Sequence, residues 1–524
     1  MRRGPVARTG ERAKLDRRIL IVFPGLMLAM MLAALDQTIV ATSLPTIVTD
    51  LGGLTHISWV ATAYLLTSCV STPIYGKLGD QFGRKRLFQF AIVLFLIGSA
   101  LCGMAQSMTE LVIFRGIQGI GAGGLMVNSQ AVIGDLVAPA DRGRYQGFMQ
   151  SVFAFATVAG PLIGGVLTQD LNWRWVFYVN LPIGAVALVV IALVLKLPPR
   201  QVRKPKVDWT GAALLTVGVS ALILLTSSGG VGFDWLSPQA VLLVVVAIGM
   251  VVAFVFAERR AAEPLFPLRL FRNRVIRISG PLIFVVGFGM LGITTFMPLY
   301  QQIVDGVSPT MSGLRLAPLM LSMMVTSVAV GQTIARIGRY QIFPRIGAGL
   351  LIVGTLLLSL LGLDTSYGFQ LLALAVIGVS LGMINPVMVL ATQNAVEAKD
   401  IGVATSVNTF GRTVGASFGV AVFGAIFAAK LTSSLQQRLP ANVVREFSSS
   451  GINISRAQIN ALPAALRTDF LGGFANALHD VFLGGIVVAI IGFALALQLP
   501  EVALRRRRGT PAKTREPATE TPRG

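Results

Sequence analysis

Apolar residues recur in long runs, each closed by a short polar break. A helix needs about 20 apolar residues to cross a hydrocarbon core of roughly 30 Å. Fourteen runs approach or exceed that length: 19–44, 57–78, 86–105, 109–134, 145–168, 174–196, 209–228, 238–257, 278–300, 312–335, 343–362, 368–394, 402–429 and 475–498. In lipid every backbone N–H and C=O has to be satisfied internally, so runs of this kind are read as helices. The pattern predicts an all-α membrane protein with fourteen transmembrane spans. The first run follows a basic stretch, as a signal peptide would. It is too long for one, lacks a small-residue cleavage site and is followed by further spans, so an uncleaved anchor is expected. Composition agrees: 54% of the 524 residues are hydrophobic and 13% charged, where a soluble domain carries roughly 25% charged residues.

The net charge of +21 changes the picture only through its placement. Lys and Arg sit in clusters between apolar runs, which excludes a basic nucleic-acid-binding face. Arg2, Arg3, Arg8, Arg12, Lys14, Arg17 and Arg18 precede span 1. Arg84, Lys85 and Arg86 follow span 2, and Arg200, Arg203, Lys204 and Lys206 follow span 6. Arg259, Arg260, Arg269, Arg272 and Arg274 follow span 8, and Arg505 to Arg508 follow span 14. With fourteen spans all of these share one side, while the loops Pro45–His56 and Gly229–Pro238 carry no Lys or Arg. The positive-inside rule then puts both termini in the cytoplasm and the chain in the inner membrane. The outer loop 430–474 contains Arg438, Arg445, Arg456 and Arg467, but long loops cross largely regardless of charge. Gly509–Gly524 is polar and Pro-rich, and reads as disordered. Two cysteines and two histidines argue against a disulfide framework or a metal cluster, and Cys69 and Cys102 both fall inside apolar runs.

Between spans 2 and 3 runs Gly76-Lys-Leu-Gly-Asp80-Gln-Phe-Gly83-Arg84-Lys85-Arg86, a tight turn with opposed charges. Span 4 holds Arg115-Gly-Ile-Gln118-Gly119-Ile-Gly121-Ala122, and span 5 holds Gly160-Pro161-Leu-Ile-Gly164-Gly165. Span 1 contains Leu35-Asp36-Gln37-Thr38, and span 6 opens Trp173-Arg174-Trp175-Val-Phe177-Tyr178-Val-Asn180-Leu-Pro182. Together these segments resemble the major facilitator superfamily, and within it the fourteen-helix drug:proton antiporter group. The resemblance is dense over spans 1 to 6 and thinner beyond, where Gly411-Arg412-Thr-Val-Gly415 and a degraded echo of the 76–86 loop at Gly331–Arg339 remain. It implies two six-helix bundles in parallel pseudo-repeat, at 19–197 and 278–498. A linker with spans 7 and 8 at 198–277 separates them, between a basic N-terminus at 1–18 and a cytoplasmic tail at 499–524. It also implies that Gly76, Asp80, Gly83, Arg84 and Asp135 latch the halves together, and that Gly160, Pro161, Gly164 and Gly165 form the antiporter motif. Ala156 departs from that motif, standing where a glycine is often found.

Asp36 lies roughly 8 residues, or about 12 Å, from the outer end of span 1, and Arg115 roughly 6 residues, or about 9 Å, from that of span 4. The two runs are antiparallel, so the side chains share a depth. An arginine at the bilayer centre costs at least ~2.5 kcal/mol and needs a partner or a cavity. Burial and a neighbouring guanidinium act on a carboxylate in opposite senses, which makes Asp36 with Arg115 the candidate for proton coupling; the alternative is a permanent structural ion pair. Spans 9 to 14 offer no deep carboxylate. Arg412 has no obvious acidic partner; it either satisfies carbonyls across a helix interface or faces the cavity and attracts anionic groups. Gln37, Tyr64, Gln150, Phe153, Asn180, Phe288, Gln393 and Asn394 are further candidates for lining a cavity, since aromatic and amide side chains suit adaptable recognition. His479 and Asp480 are expected at the interface.

The resulting expectation is a monomeric exporter of amphipathic small molecules in the lipid bilayer, exchanging them for protons by alternating access. No cofactor is expected, and no Gly-x-x-x-x-Gly-Lys-Ser/Thr loop indicates ATP. One alternative keeps export but changes the cargo to an endogenous metabolite, siderophore or lipid. Another, an intramembrane enzyme, requires clustered ligands or an activated nucleophile that the spans do not offer.

Overall fold

The computed structural model describes residues 9–52, 57–197, 208–229, 233–438 and 463–501. The basic residues 2, 3 and 8, the cluster 200–206, Arg505–Arg508, the central part of the outer loop at 439–462 and the tail 509–524 lie outside the described residues. Within them the long helices are α1 Thr9–Leu51, α2 Ile57–Phe82, α3 Arg84–Met104, α4 Met108–Leu136, α5 Arg142–Val166, α6 Asn180–Val194 and α7 Trp209–Ser228. The series continues with α8 Pro238–Arg260, α9 Arg274–Ile303, α10 Ala317–Ile337, α11 Ile342–Ser359, α12 Tyr367–Asn394, α13 Ile401–Arg438 and α14 Ala464–Gln498. Each corresponds to one apolar run.

Helix ends follow local chemistry. Ser107 caps α4 by accepting from Glu110 N at 3.3 Å, while the Glu110 carboxylate accepts from Gln106 N at 2.8 Å, a variant of the capping box. Ser237 and Ser366 cap α8 and α12 in the same way. Gly83 breaks α2 from α3 at φ 93°, a conformation that disfavours a Cβ.

Several helices outrun their apolar stretches. α1 continues to Leu51, α13 to Arg438, and α14 begins at Ala464, so much of the stretch expected to be an outer loop is helix. Apolar runs measure only the lipid-embedded part, whereas backbone hydrogen bonding carries a helix on into the interface. Span 6 is instead shorter and split: Trp175–Tyr178 forms one turn before α6. Thirteen described helices are long and apolar enough to cross a membrane. The remaining one, α2, is diluted by Thr62, Thr67, Ser68, Ser71 and Thr72, whose hydroxyls bond back to their own helix at Thr67, Ser68, Ser71 and Thr72. Its 26 residues extend about 39 Å.

The packing repeats with an offset of eight helices. In the first half α1 packs on α5, α2 on α4, α3 on α4 and α1 on α6. In the second, α9 packs on α13, α10 on α12, α11 on α12 and α9 on α14. The halves meet through α5 with α10 and α2 with α13, pairs that exchange under the same offset. This is a parallel pseudo-repeat of two six-helix bundles. Each half has its own apolar core, around Leu26, Phe88, Phe95 and Met149 in the first and around Phe296, Met320, Leu381 and Phe474 in the second. The inserted pair α7 and α8 packs beside α2 and α13. Leu242, Val245 and Ile248 of α8 stay exposed, as a helix bordering lipid requires. Helices α1 to α14 alternate in direction, so the α2–α3, α8–α9 and α10–α11 connections share one face, called the basic face below.

Candidate functional site

Polar side chains gather at three places inside this frame. The deepest lies within the first half. Asp36 of α1 is fully buried and Arg115 of α4 nearly so. Arg115 Nη1 donates to Asp36 Oδ2 and, at 2.9 Å, to Gln118 Oε1, while its Nε donates to Val60 O at 3.2 Å. Gln118 Nε2 donates to Asp36 Oδ1 at 2.8 Å, and Asn180 Nδ2 donates to the same oxygen at 3.1 Å. Ser99 Oγ accepts from both amides and donates to Phe177 O at 2.8 Å. The Tyr64 ring lies 4.1 Å from the guanidinium carbon, and its hydroxyl donates to Ala33 O at 3.0 Å. Five helices, α1, α2, α3, α4 and α6, thus meet on one neutralised charge pair. Both carboxylate oxygens are occupied, which keeps two charges tolerable where water is absent.

The second place is the basic face, where the halves are clasped. Asp80 accepts from Gly402 N at 3.1 Å and Val403 N at 3.0 Å, the opening turn of α13. A carboxylate there meets unpaired N–H groups and the positive end of the helix dipole. Arg84 is clamped between Asp80, at 2.6 Å, and Asp135. The backbones of α2 and α13 touch, since a Cβ on Gly76 would come within 2.8 Å of Gly402 O. Arg142 of α5 donates to Gly134 O at 2.5 Å and Val137 O at 3.1 Å in its own half, and to Asn394 Oδ1 at 3.1 Å in the other. Gln393 Nε2 donates to Gln130 O at 3.1 Å. The α8–α9 loop straps across the same face: Lys77 pairs with Glu263 at 2.8 Å and Arg269 with Asp400 at 2.9 Å. The Lys77 hydrogen bond holds the Glu263 carboxyl below its ordinary pKa.

The third place is a narrow cavity of about 10 Å³ between the halves, room for little more than a water molecule in this closed state, lined by Gln130, Gln150, Ile283, Asn385, Val389, Asn408, Thr409 and Arg412. Arg412 stands 11 positions into α13, or about 16 Å from its basic-face end, near the middle of a 30 Å core. Its guanidinium carbon is 5.1 Å from the Phe153 ring of α5. Phe153 also packs against the small cluster of Ala34, Leu35 and Ala156, which joins α5 to the stretch of α1 just before Asp36.

The residues singled out from the sequence therefore divide. Asp36 and Arg115 meet, as do Asp80, Arg84 and Asp135. Gln150 and Arg412 line the cavity, and Phe153 lies against Arg412 without lining it. Tyr64 and Asn180, expected to line it, are instead consumed by the Asp36 network, and Gln393 and Asn394 by the clasp. Phe288 packs in an aromatic chain, 5.0 Å from Phe423, and Gln37 is half-buried on α1. Gly160 and Gly164 bring α5 against α1: a Cβ on either would come within 2.4 Å of Thr38 or Thr42. Pro161 falls inside α5, which ends in a wider π turn at Leu167–Leu171 after Gly165. His479 Nδ1 is bonded to Ser359 O, and Asp480 pairs with Lys430 at 3.2 Å. Gln118, Ser99, Arg142, Asn385 and Asn408 were not assigned these parts from the sequence. For Gln118, Ser99, Asn385 and Asn408 the signal is a polar side chain inside an otherwise apolar run; Arg142 lies between runs and carried none.

The sequence model of the Major Facilitator Superfamily matches residues 26–420. An MFS-type transporter of Mycobacterium tuberculosis (strain CDC 1551 / Oshkosh) is 42% identical over 487 residues, covering 92% of this chain and 70% of its own. The multidrug transporter protein MdtP of Bacillus subtilis (strain 168) is 36% identical over 536 residues, covering 97% and 98%. Among solved structures, the proton:xylose symporter XylE bound to 6-bromo-6-deoxy-D-glucose superposes with a TM-score of 0.61, covering 93% of this chain and 98% of that one. At 16% identity that likeness concerns the fold alone. The chain is a multi-pass membrane transporter belonging to the major facilitator superfamily.

Proposed function

We propose that this transporter is a proton-coupled antiporter that exports amphipathic organic compounds across the cytoplasmic membrane by alternating access, with both termini in the cytoplasm. The observation that carries the reading is the physical link between the two interior sites. Phe153 packs against the cluster of Ala34, Leu35 and Ala156, two of which precede Asp36 on α1, and lies under Arg412. A proton on Asp36 removes the attraction to Arg115 and one acceptor site for Gln118 or Asn180, loosening α1 against α4 and thereby the wall that bears Phe153. The clasp at the basic face belongs to one of the two access states, and rocking of the halves breaks it. Relatives named as a multidrug transporter and a multidrug resistance protein support the class of cargo.

The test uses proteoliposomes holding a pH-sensitive dye and a panel of amphipathic compounds. Transported compounds should move protons in the opposite direction, and Asp36→Asn should bind them yet fail to concentrate them. Transport without any proton movement sinks the antiport reading. Orientation is checked separately: a maleimide applied from outside should label Ser449→Cys but not Thr510→Cys.

A further inference from the structure

Four other arginines packed into the fold find acceptors among the described residues. Arg115 has Asp36, Gln118 and Val60. Arg84 has two carboxylates, Arg174 the carbonyls of Gly103 and Ala105, and Arg315 the carboxylate of Asp305. Arg412 differs. Among the described residues no hydrogen bond or ion pair holds its guanidinium; its polar-group contact is the face of Phe153. Its helix cannot turn aside easily, because the α13 backbone at Arg412 lies against Gly287, where a Cβ would come within 2.2 Å of Arg412 O. No Asp or Glu lines the cavity.

Three of the residues lining this cavity carry an amide oxygen that is buried and unpartnered: Gln130 Oε1, Asn385 Oδ1 and Asn408 Oδ1. These side chains are 2%, 3% and 2% exposed. For Asn408 the orientation is fixed by chemistry. Its Nδ2 donates to Ala404 O at 3.2 Å and to Thr392 Oγ1, and a carbonyl only accepts. The oxygen is therefore the atom left without a partner. Buried polar groups in folded proteins are ordinarily satisfied, so an empty set of one donor fork and three acceptors describes what a ligand brings.

We propose that the cavity binds the acidic end of an amphipathic organic acid, with Arg412 as the counter-ion for its carboxylate, sulfonate or phosphate. Gln130, Asn385 and Asn408 accept from hydroxyl or N–H groups close to that acid, and Ile283, Val389 and Phe153 cover its apolar part. The proposal rests on the export reading and narrows its cargo. A guanidinium presents a fork that matches a carboxylate in plane, and a bare positive charge repels a cation in a low dielectric. Asp36 offers a cationic cargo no compensation here, since both its oxygens are engaged by Arg115, Gln118 and Asn180.

The experiment measures saturable binding of three dansyl probes with one skeleton, ending in a carboxylate, a methyl ester or a trimethylammonium group. The full chain is used in nanodiscs, with empty nanodiscs subtracted. Wild type should bind the carboxylate probe about tenfold tighter than either other, the scale of one charge-assisted contact. Arg412→Gln should lose that preference while keeping its affinity for the ester, and Arg412→Lys should keep part of it. Equal binding of the three by wild type, a preference for the ammonium probe, or no saturable binding of the carboxylate probe overturns the proposal. So does an unchanged preference in Arg412→Gln. The wild-type ranking decides the matter even where a variant does not fold. A ranking without charge preference leaves the export reading standing, whereas failure to move any compound in proteoliposomes sinks export without altering the ranking.

Discussion

Two arginines stand inside the membrane in opposite circumstances. Arg115, in the first half, is ringed by Asp36, Gln118 and the Val60 carbonyl, with Tyr64 stacked beneath it. Arg412, in the second, rests on one aromatic ring beside three unpartnered amide oxygens. The repeat makes the contrast informative, because both halves are built from the same helix pairings. One half stores its charge as a finished network, in which any change of protonation leaves something unpaired. The other leaves its charge unfinished at the point where the halves meet. A transporter that exchanges two species has use for both arrangements, one that responds to a proton and one that waits for a ligand.

The widest separation should appear in stability. Removing one partner of a buried ion pair costs about 3–5 kcal/mol, because the other charge is stranded. Asp36→Ala strands Arg115 and should lower the thermal midpoint in detergent sharply. Arg412→Gln strands nothing and removes a lone charge whose burial costs ~2.5–3.5 kcal/mol at a helix centre. That variant should match or exceed wild type in the same melt. A large loss of stability in Arg412→Gln means that the guanidinium has a structural partner and that the contrast is false.

Much of this was legible in the sequence. The apolar runs give the helices, and the charge of the 76–86 loop marks the clasp. Counting residues from the span ends put Asp36 and Arg115 at one depth. What could not be read was rotation about each helix axis. Most spans are apolar on nearly all sides, so no stripe tells which face a given amide takes. Tyr64 and Asn180 accordingly turned up in the Asp36 network rather than the cavity, while Asn385 and Asn408 turned up in the cavity. Contacts such as Arg142 with Asn394 or Arg269 with Asp400 join positions far apart along the chain and leave no local pattern. The extended ends of α13 and α14 were hidden because they are amphipathic or polar, outside the reach of a hydropathy count.

A smaller effect is expected at the clasp. Asp80→Asn keeps an oxygen for Gly402 N but loses the charge that serves Arg84 and the α13 terminus. Helix-terminal and charge-assisted contacts of this kind are worth about 2 kcal/mol. The loss should shift the balance of access states by roughly thirtyfold. Thr405, fully buried in the clasped state, reports on it. Thr405→Cys should react faster with a maleimide from the basic face when Asp80→Asn is present. Unchanged labelling and unchanged transport together mean that the loop serves topology alone.

The smallest effect should come from the pair at the water's edge, Lys77 with Glu263. The Glu263 side chain is 52% exposed and that of Lys77 11%. Exposed ion pairs contribute about 0–1 kcal/mol, screened by salt. Lys77→Gln should therefore alter transport far less than Asp80→Asn, and the difference should vanish at high ionic strength. Its pH dependence has a definite sign. The hydrogen bond from Lys77 lowers the Glu263 pKa in the clasped state. The pair's contribution is then full above the ordinary carboxylate range and is lost as pH falls through the depressed value. Wild type and Lys77→Gln should differ slightly in Thr405→Cys labelling at neutral pH and converge in acid. If they diverge on acidification instead, Glu263 does not favour closure through Lys77, and the strap over the basic face is held by Arg269 with Asp400 and by the burial of Phe266 and Leu270.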